Sequence, residues 1–325
     1  MKLKKIKRMV AVGTAILMTL SLAGCGIGGN SVKLGAAGVG GGYYAFSNAF
    51  AQIASSEDED LDFEVKATAG STANIRLLSD GYVDMAIAQA DLVDAAYNGT
   101  GATDKKRYRG YSAVASLYTE ACQIVVRSDS GIDSLDDLQG KKISVGEEES
   151  GTQRNAEQIL KMTGLVESLV DTVNLDYVDA ANELKSGQID AFFCTAGIQT
   201  SVIEELSKEC DVKLIGIDDK CRDRLKSVYG FYTDYTIPAG TYEGQTQDVV
   251  TLGVRAVLLA RDDMDEKIVE ELTGLLFEHA QDIQYSIALT FQIDESEAVK
   301  NVTIPFHDGA KAYYQKKGIE IPAEQ

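Results

Sequence analysis

The sequence has no tryptophan, three prolines and two histidines in 325 residues. Two histidines leave little for acid–base chemistry, and no Gly-x-Ser-x-Gly, His-Glu-x-x-His, Cys-x-x-Cys or calcium-loop motif occurs. An enzyme is therefore not expected, nor is a metal or a cofactor. His279 falls on an amphipathic helical stretch and His307 at a turn before the last helix, where packing and capping are the expected roles. Basic residues are also scarce, 31 Lys and Arg against 50 Asp and Glu, for a formal net charge of −19. Five of the basic residues precede Gly24, so the remainder carries 26 against 50. Such a chain repels phosphate backbones and anionic bilayers, which excludes nucleic acid as a partner. With apolar residues at 45% and few prolines, disorder and fibrous repeats are excluded as well.

The five early basic residues, Lys2, Lys4, Lys5, Lys7 and Arg8, precede the apolar run Met9–Leu22. At 14 residues this run is shorter than the roughly 20 that a helix needs to cross a bilayer, so it reads as an export signal. It ends in Leu22-Ala23-Gly24-Cys25, which resembles the lipobox of bacterial lipoproteins. Residues 1–24 are then a removable signal peptide, Cys25 the lipid attachment site and 25–30 a tether. The expected location is outside the cytoplasm, lipid-anchored at the outer face of the cell membrane or on the periplasmic side in a double-membrane cell. Four cysteines remain, which allow three complete pairings. Cys122 and Cys194 read as small core residues, while Cys210 and Cys221 flank a strand and its turn, where a bridge is left open.

From Ser31 onward, short β-like runs alternate with helical ones. Strands are predicted at 32–36, 61–67 and 83–88, with helices at 43–54 and 71–79 between them. The same βαβαβ order returns with strands at 142–145, 172–178 and 189–194 and helices at 152–162 and 180–186. Both units close alike, Gly81-Tyr82-Val83-Asp84 against Gly187-Gln188-Ile189-Asp190. The expected class is α/β with two lobes, each a mostly parallel sheet flanked by helices. A strand at 122–127 would carry the chain between the lobes, and the return is expected near 247–251, before a strand at 252–259, which makes a two-crossover hinge. Lobe 1 is then 31–127 plus 252–325, including helical stretches at 266–284 and 308–317, and lobe 2 is 128–251.

Ligands of parallel sheets bind beyond the carboxyl ends of the strands, where helix N-termini offer unpaired N–H groups. Small residues stand at three such ends: Gly40-Gly41-Gly42, Gly70-Ser71, and Ser150-Gly151-Thr152 from the opposite lobe. No Gly-Lys-Ser/Thr follows the glycines, which argues against a nucleotide loop. Three small-residue helix starts from two lobes favour a cleft for a small carboxylate. The run Glu57–Asp60 reads as a solvated loop.

Along most of its length the chain resembles the TAXI-type solute-binding proteins of TRAP transporters. The landmarks are Gly40-Gly41-Gly42-Tyr43-Tyr44, Ala69-Gly70-Ser71-Thr72-Ala73-Asn74, Ile87-Ala88-Gln89-Ala90-Asp91, Ser150-Gly151-Thr152, Ile189-Asp190-Ala191-Phe192-Phe193, Thr236-Ile237-Pro238-Ala239-Gly240 and Ile304-Pro305-Phe306-His307-Asp308. The resemblance implies a two-lobed periplasmic-binding-protein fold of type II character. It also implies a monomeric extracytoplasmic receptor that closes on a glutamate- or glutamine-like amino acid or a dicarboxylate and delivers it to a TRAP membrane permease. Two alternatives stand, a lipoprotein serving an ABC importer and a surface lipoprotein or adhesin without a small ligand. The ligand residues expected are Gly41, Gly42, Tyr43, Tyr44, Ser71, Asn74, Gln89, Glu149, Ser150, Gly151, Thr152, Thr195 and Tyr232. Tyr235 is placed near them. Relatives carry small residues where this chain has Glu147-Glu148-Glu149; Glu149 is read either as part of a solvated helix start or as a receiver of a ligand ammonium. Arg154, one turn on, has Glu148, Glu149 or a ligand carboxylate as candidate partners.

Overall fold

The computed structural model describes residues 30–101, 105–166, 168–287 and 293–322. The leader and Cys25 lie outside the described residues.

The first βαβαβ unit consists of β1 (Asn30–Gly35), α1 (Gly42–Glu57), β2 (Leu61–Lys66), α2 (Ser71–Ser79) and β3 (Met85–Gln89). A short α3 (Ala90–Asn98) leads into β4 (Tyr111–Arg127), a strand of 17 residues. The second unit is β5 (Lys142–Ser144), α4 (Gly151–Thr163), β6 (Asp171–Val173), α5 (Tyr177–Ser186) and β7 (Ala191–Ala196). Then come α6 (Ser201–Glu209), β8 (Val212–Leu214), α7 (Asp219–Val228), β9 (Thr233–Ile237) and the second long strand, β10 (Val249–Arg261). Three helices, α8 (Glu266–Glu278), α9 (Ala280–Ser286) and α10 (Asp308–Lys317), complete the order.

One sheet runs through the molecule in the order β2-β1-β3-β10-β4-β7-β5-β6. Within each unit the pairing is parallel with the first strand in the middle, β2-β1-β3 and β6-β5-β7. Between the units lie β10 and β4, antiparallel to each other and to the strands that flank them.

The two Gly-x-x-Asp sequences play one role. Gly81 and Gly187, at φ 76° and 75°, turn the chain out of α2 and α5. Asp84 then accepts a 2.9 Å bond from the Lys33 amide within β1, and Asp190 accepts one of 2.9 Å from the Lys142 amide that opens β5. Arg261 at the end of β10 reaches Gly81, as Arg127 at the end of β4 reaches Leu184 beside Gly187. The repeat thus includes the crossing strands.

Side chains divide into separate cores. Phe46, Phe50, Met85, Leu117, Tyr118, Val257 and Leu276 belong to lobe 1, whose outer layer is α8–α10. In lobe 2 the two faces of the sheet have a core each, with Cys122, Ile124 and Val126 of β4 on one and Val125 on the other. Along β4 and β10 the changeover falls between Tyr118 and Cys122 and between Val254 and Ala256. It therefore lies inside the strands, and the pairing slips there, between Arg255 and Val257.

Several expected boundaries move. The strand expected at 172–178 ends at Val173, because Asp176 caps α5 by accepting from the Asp179 amide and draws Tyr177 and Val178 into the helix. The stretch 266–284 breaks at His279 into α8 and α9. His307 caps α10, its Nδ1 accepting from the Gly309 amide at 3.1 Å. Cys122, Cys194, Cys210 and Cys221 are all free thiols, so Cys210 and Cys221 form no bridge, and burial pushes the Cys122 thiol up to about 12.

Candidate functional site

Where the two units face each other, a small cavity of about 40 Å³ is walled by both lobes. Lobe 1 contributes the turn before α1, with Gly41, Gly42 and Tyr43, the start of α2 with Gly70 and Ser71, and Gln89 at the end of β3. Lobe 2 contributes Ser150, Gly151 and Thr152 at the start of α4, Tyr177 of α5 and Thr195 of β7. Glu120, in the changeover segment of β4, lies between the two sets.

The lobes touch around this cavity. The Glu149 carbonyl accepts from the Thr72 and Ala73 amides at 3.1 and 3.2 Å, so it caps α2 from the other lobe. Its carboxylate takes two bonds from Arg76 of α2, 3.1 Å from Nε and 2.8 Å from Nη2. Ser201 at the start of α6 donates to the Gly40 carbonyl at 3.1 Å. Glycine is needed where these surfaces are closest. Gly70 has φ 121°, and a Cβ on Gly151 would stand 2.5 Å from the Gln89 side chain. This is a closed arrangement.

Polar side chains inside are held by a network. Gln89 Nε2 donates to Asn155 Oδ1 at 3.0 Å, Asn155 Nδ2 donates to the Tyr232 hydroxyl at 2.8 Å, and that hydroxyl donates to Gln158 at 2.5 Å. Thr152 Oγ1 accepts from the Thr195 amide at 3.2 Å and lies 2.6 Å from the Tyr177 hydroxyl, which donates to the Thr195 carbonyl. Glu120 is 3% exposed and accepts from the Tyr43 hydroxyl at 2.6 Å. Burial pushes the Glu120 carboxyl up to about 8, against the pull of its hydrogen bonds from Tyr43 and Gln89. Glu147 is raised too, by burial and then by Asp176.

A family model, the NMT1-like family, matches residues 34–318. The chain belongs to the NMT1-like family. Among solved structures, this NMT1-like chain is similar to a protein from Bordetella bronchiseptica RB50 at 16% identity, over 89% of this chain and 98% of that one, with a TM-score of 0.56. A putative L-cystine ABC transporter from Listeria monocytogenes matches at 14% identity over 79% and 93%, with a TM-score of 0.50. At such identities the likeness shows the fold, which is the two-lobed α/β fold of periplasmic solute-binding proteins.

Of the residues expected at the site of the NMT1-like chain, Gly41, Gly42, Tyr43, Ser71, Gln89, Ser150, Gly151, Thr152 and Thr195 all line the cavity. Four lie elsewhere. Tyr44 is half-buried one step further along α1. Asn74 is buried behind the wall, where its Nδ2 donates to the carbonyls of Ala36 and Ile87 and ties β1 to β3. Tyr232 belongs to the core of lobe 2, and Tyr235 packs beside Ile237 on β9. Glu149 is outside the cavity lining; its backbone is at φ 65° and its carboxylate pairs with Arg76 of α2. Arg154 stands 3.8 Å from Glu157 instead of pairing with Glu148 or Glu149. Sequence reasoning missed Tyr177, Asp176 and Glu120; the signal for Glu120 is that no other charged residue occurs from Tyr111 to Val126.

Proposed function

We propose that this protein is an extracytoplasmic solute receptor that closes on a small carboxylate and delivers it to a TRAP permease. The observation that carries this reading is the cavity itself, walled by the starts of α1 and α4 from opposite lobes. The first-turn amides of a helix have no partner within the helix, and they carry the positive end of its dipole, which suits a ligand carboxylate. The start of α2 is already capped by Glu149, so two helix ends and not three are left for the ligand. The TRAP assignment rests on the TAXI-like landmarks; the likeness to a putative ABC transporter protein supports delivery to an ABC importer as the second reading. Lobe 1 and lobe 2 are proposed to rotate about the changeover in β4 and β10.

Purified protein heated with a panel of amino acids and dicarboxylates tests the receptor reading. A ligand at ~100 Kd adds about 2.7 kcal/mol of apparent stability, whereas a surface adhesin gains nothing from any of them. Co-purification with a two-component membrane permease, or with an ATPase complex, separates the two transport readings. The lipid anchor belongs to the same proposal: Cys25→Ser is expected to move the protein from the membrane to the soluble fraction, and unchanged lipid labelling would refute the anchor.

A further inference from the structure

The wall of the cavity has an unbalanced charge. Among the described residues that line it are three carboxyl groups, Glu120, Glu147 and Asp176, and no Lys or Arg. Glu120 is the deepest of them, and its hydrogen-bond partners Tyr43 and Gln89 are neutral. A buried carboxylate without a cation is costly, and such a cost is retained where a ligand removes it.

Gln89 points to the same chemistry independently. It is 2% exposed and lines the cavity. Tyr232 donates to Gln158 and accepts from Asn155 Nδ2, and Asn155 Oδ1 accepts from Gln89 Nε2. The network fixes the orientation of the Gln89 amide. Its Oε1 is left buried with no hydrogen-bond partner among the described residues. Two buried acceptors, Glu120 and Gln89 Oε1, thus wait for N–H donors at one end of a cavity whose other walls are helix N-termini.

Resting on the receptor reading above, we propose that Glu120 sets the specificity of the cleft by receiving a protonated amine of the ligand, with Gln89 Oε1 as a second acceptor. The ligand then carries both an ammonium and a carboxylate, and amine-free dicarboxylates are rejected. A second carboxylate placed against ionised Glu120 would meet like charge in a dry site, so the rejection should be strongest above about pH 8.

The test is calorimetry with matched probes that differ only in the amine: L-glutamate against 2-oxoglutarate and glutarate, L-aspartate against succinate, and the other proteinogenic amino acids. An amine-bearing probe is expected to bind at least ~10-fold more tightly than its amine-free counterpart, the range of one hydrogen bond to a charged group being about 10- to 150-fold. Glu120→Gln keeps an acceptor for Tyr43 and is expected to abolish that preference while circular dichroism stays native.

A second readout does not depend on the variant. Ammonium binding requires ionised Glu120, so below about pH 8 it displaces a proton, and affinity should fall about tenfold per pH unit on going down. The groups that face Glu120 are Tyr43 from α1, Tyr118 and Cys122 from its own strand, Gln89 from β3, Asp91 from α3, Tyr177 from α5 and Cys194 from β7. Asp91, itself pushed up to about 6 by burial, titrates in part of the same window, so the Glu120 share is the part of the proton release lost in Glu120→Gln. Equal affinity for an amine-bearing probe and its amine-free counterpart, or an unchanged preference in Glu120→Gln, would overturn the proposal and leave the receptor reading intact. Failure of every probe of both kinds would overturn the receptor reading and this proposal with it.

Discussion

At the scale of single residues, Gly151 and Thr152 are neighbours with different work. Gly151 faces Gln89 of the other lobe so closely that even a methyl group collides when the lobes are shut. Thr152 ties the start of α4 to β7 within lobe 2. Gly151→Ala should therefore weaken ligand binding about tenfold or more with little change in the melting temperature of the unliganded protein. Thr152→Ala should instead cost about 1 kcal/mol of stability, since it removes hydrogen bonds made within one lobe. Calorimetry of binding and of unfolding on both variants checks the contrast; a reversed pattern would mean that the lobes do not meet at Gly151. Small residues before helices made this region legible in the sequence. Glu149 was not legible, because its partner Arg76 lies 73 positions away on the other lobe and only the closed arrangement brings them together. Glu120 was hidden for a related reason: an acid inside a strand gains meaning only when the faces and lobes on either side are known.

Among the elements, the two βαβαβ units could be read from periodicity and from Gly-x-x-Asp, and the structure gives the physical reason for the match. Each Asp accepts a backbone amide from the central strand of its own unit. Asp84→Ala and Asp190→Ala should each cost about 1.5 to 3 kcal/mol, the range for a hydrogen bond to a charged group. The two sites lie in different lobes and share no partner, so their effects should add within about 0.5 kcal/mol in the double variant. Denaturant titration of the three proteins measures this, and a strongly non-additive result would mean that the units do not behave as separate repeats. Less of the region from Ser201 to Ile237 was legible. There α6, α7 and the short strands β8 and β9 join the sheet beside β4 and β10, and the partners of such brief strands are fixed by register rather than by any local pattern.

For the molecule as a whole, the contact between Arg76 and Glu149 joins the lobes at the rim of the cavity. Both side chains are about two-fifths exposed, at 38% and 41%, so solvent screens the pair and its worth stays within the usual 0.2–1 kcal/mol of an exposed ion pair. Arg76→Ala and Glu149→Gln should accordingly weaken ligand affinity only about 2- to 5-fold, through faster release rather than slower capture. Stopped-flow measurement in low and high salt checks this: the difference from wild type should shrink as salt rises, and an unchanged off-rate would remove the pair from the closing mechanism. The passage between lobes has a further consequence. Because β4 and β10 stay hydrogen-bonded to each other through the changeover, the lobes are joined by a flexure and not by a pin. Bending is spread over the slipped pairing near Arg255, no residue needs a large backbone rotation, and a twisted ribbon bends more readily in one sense than in the other. The proposed opening would then follow a single path, as a leaf spring does, with the restoring force stored in the sheet.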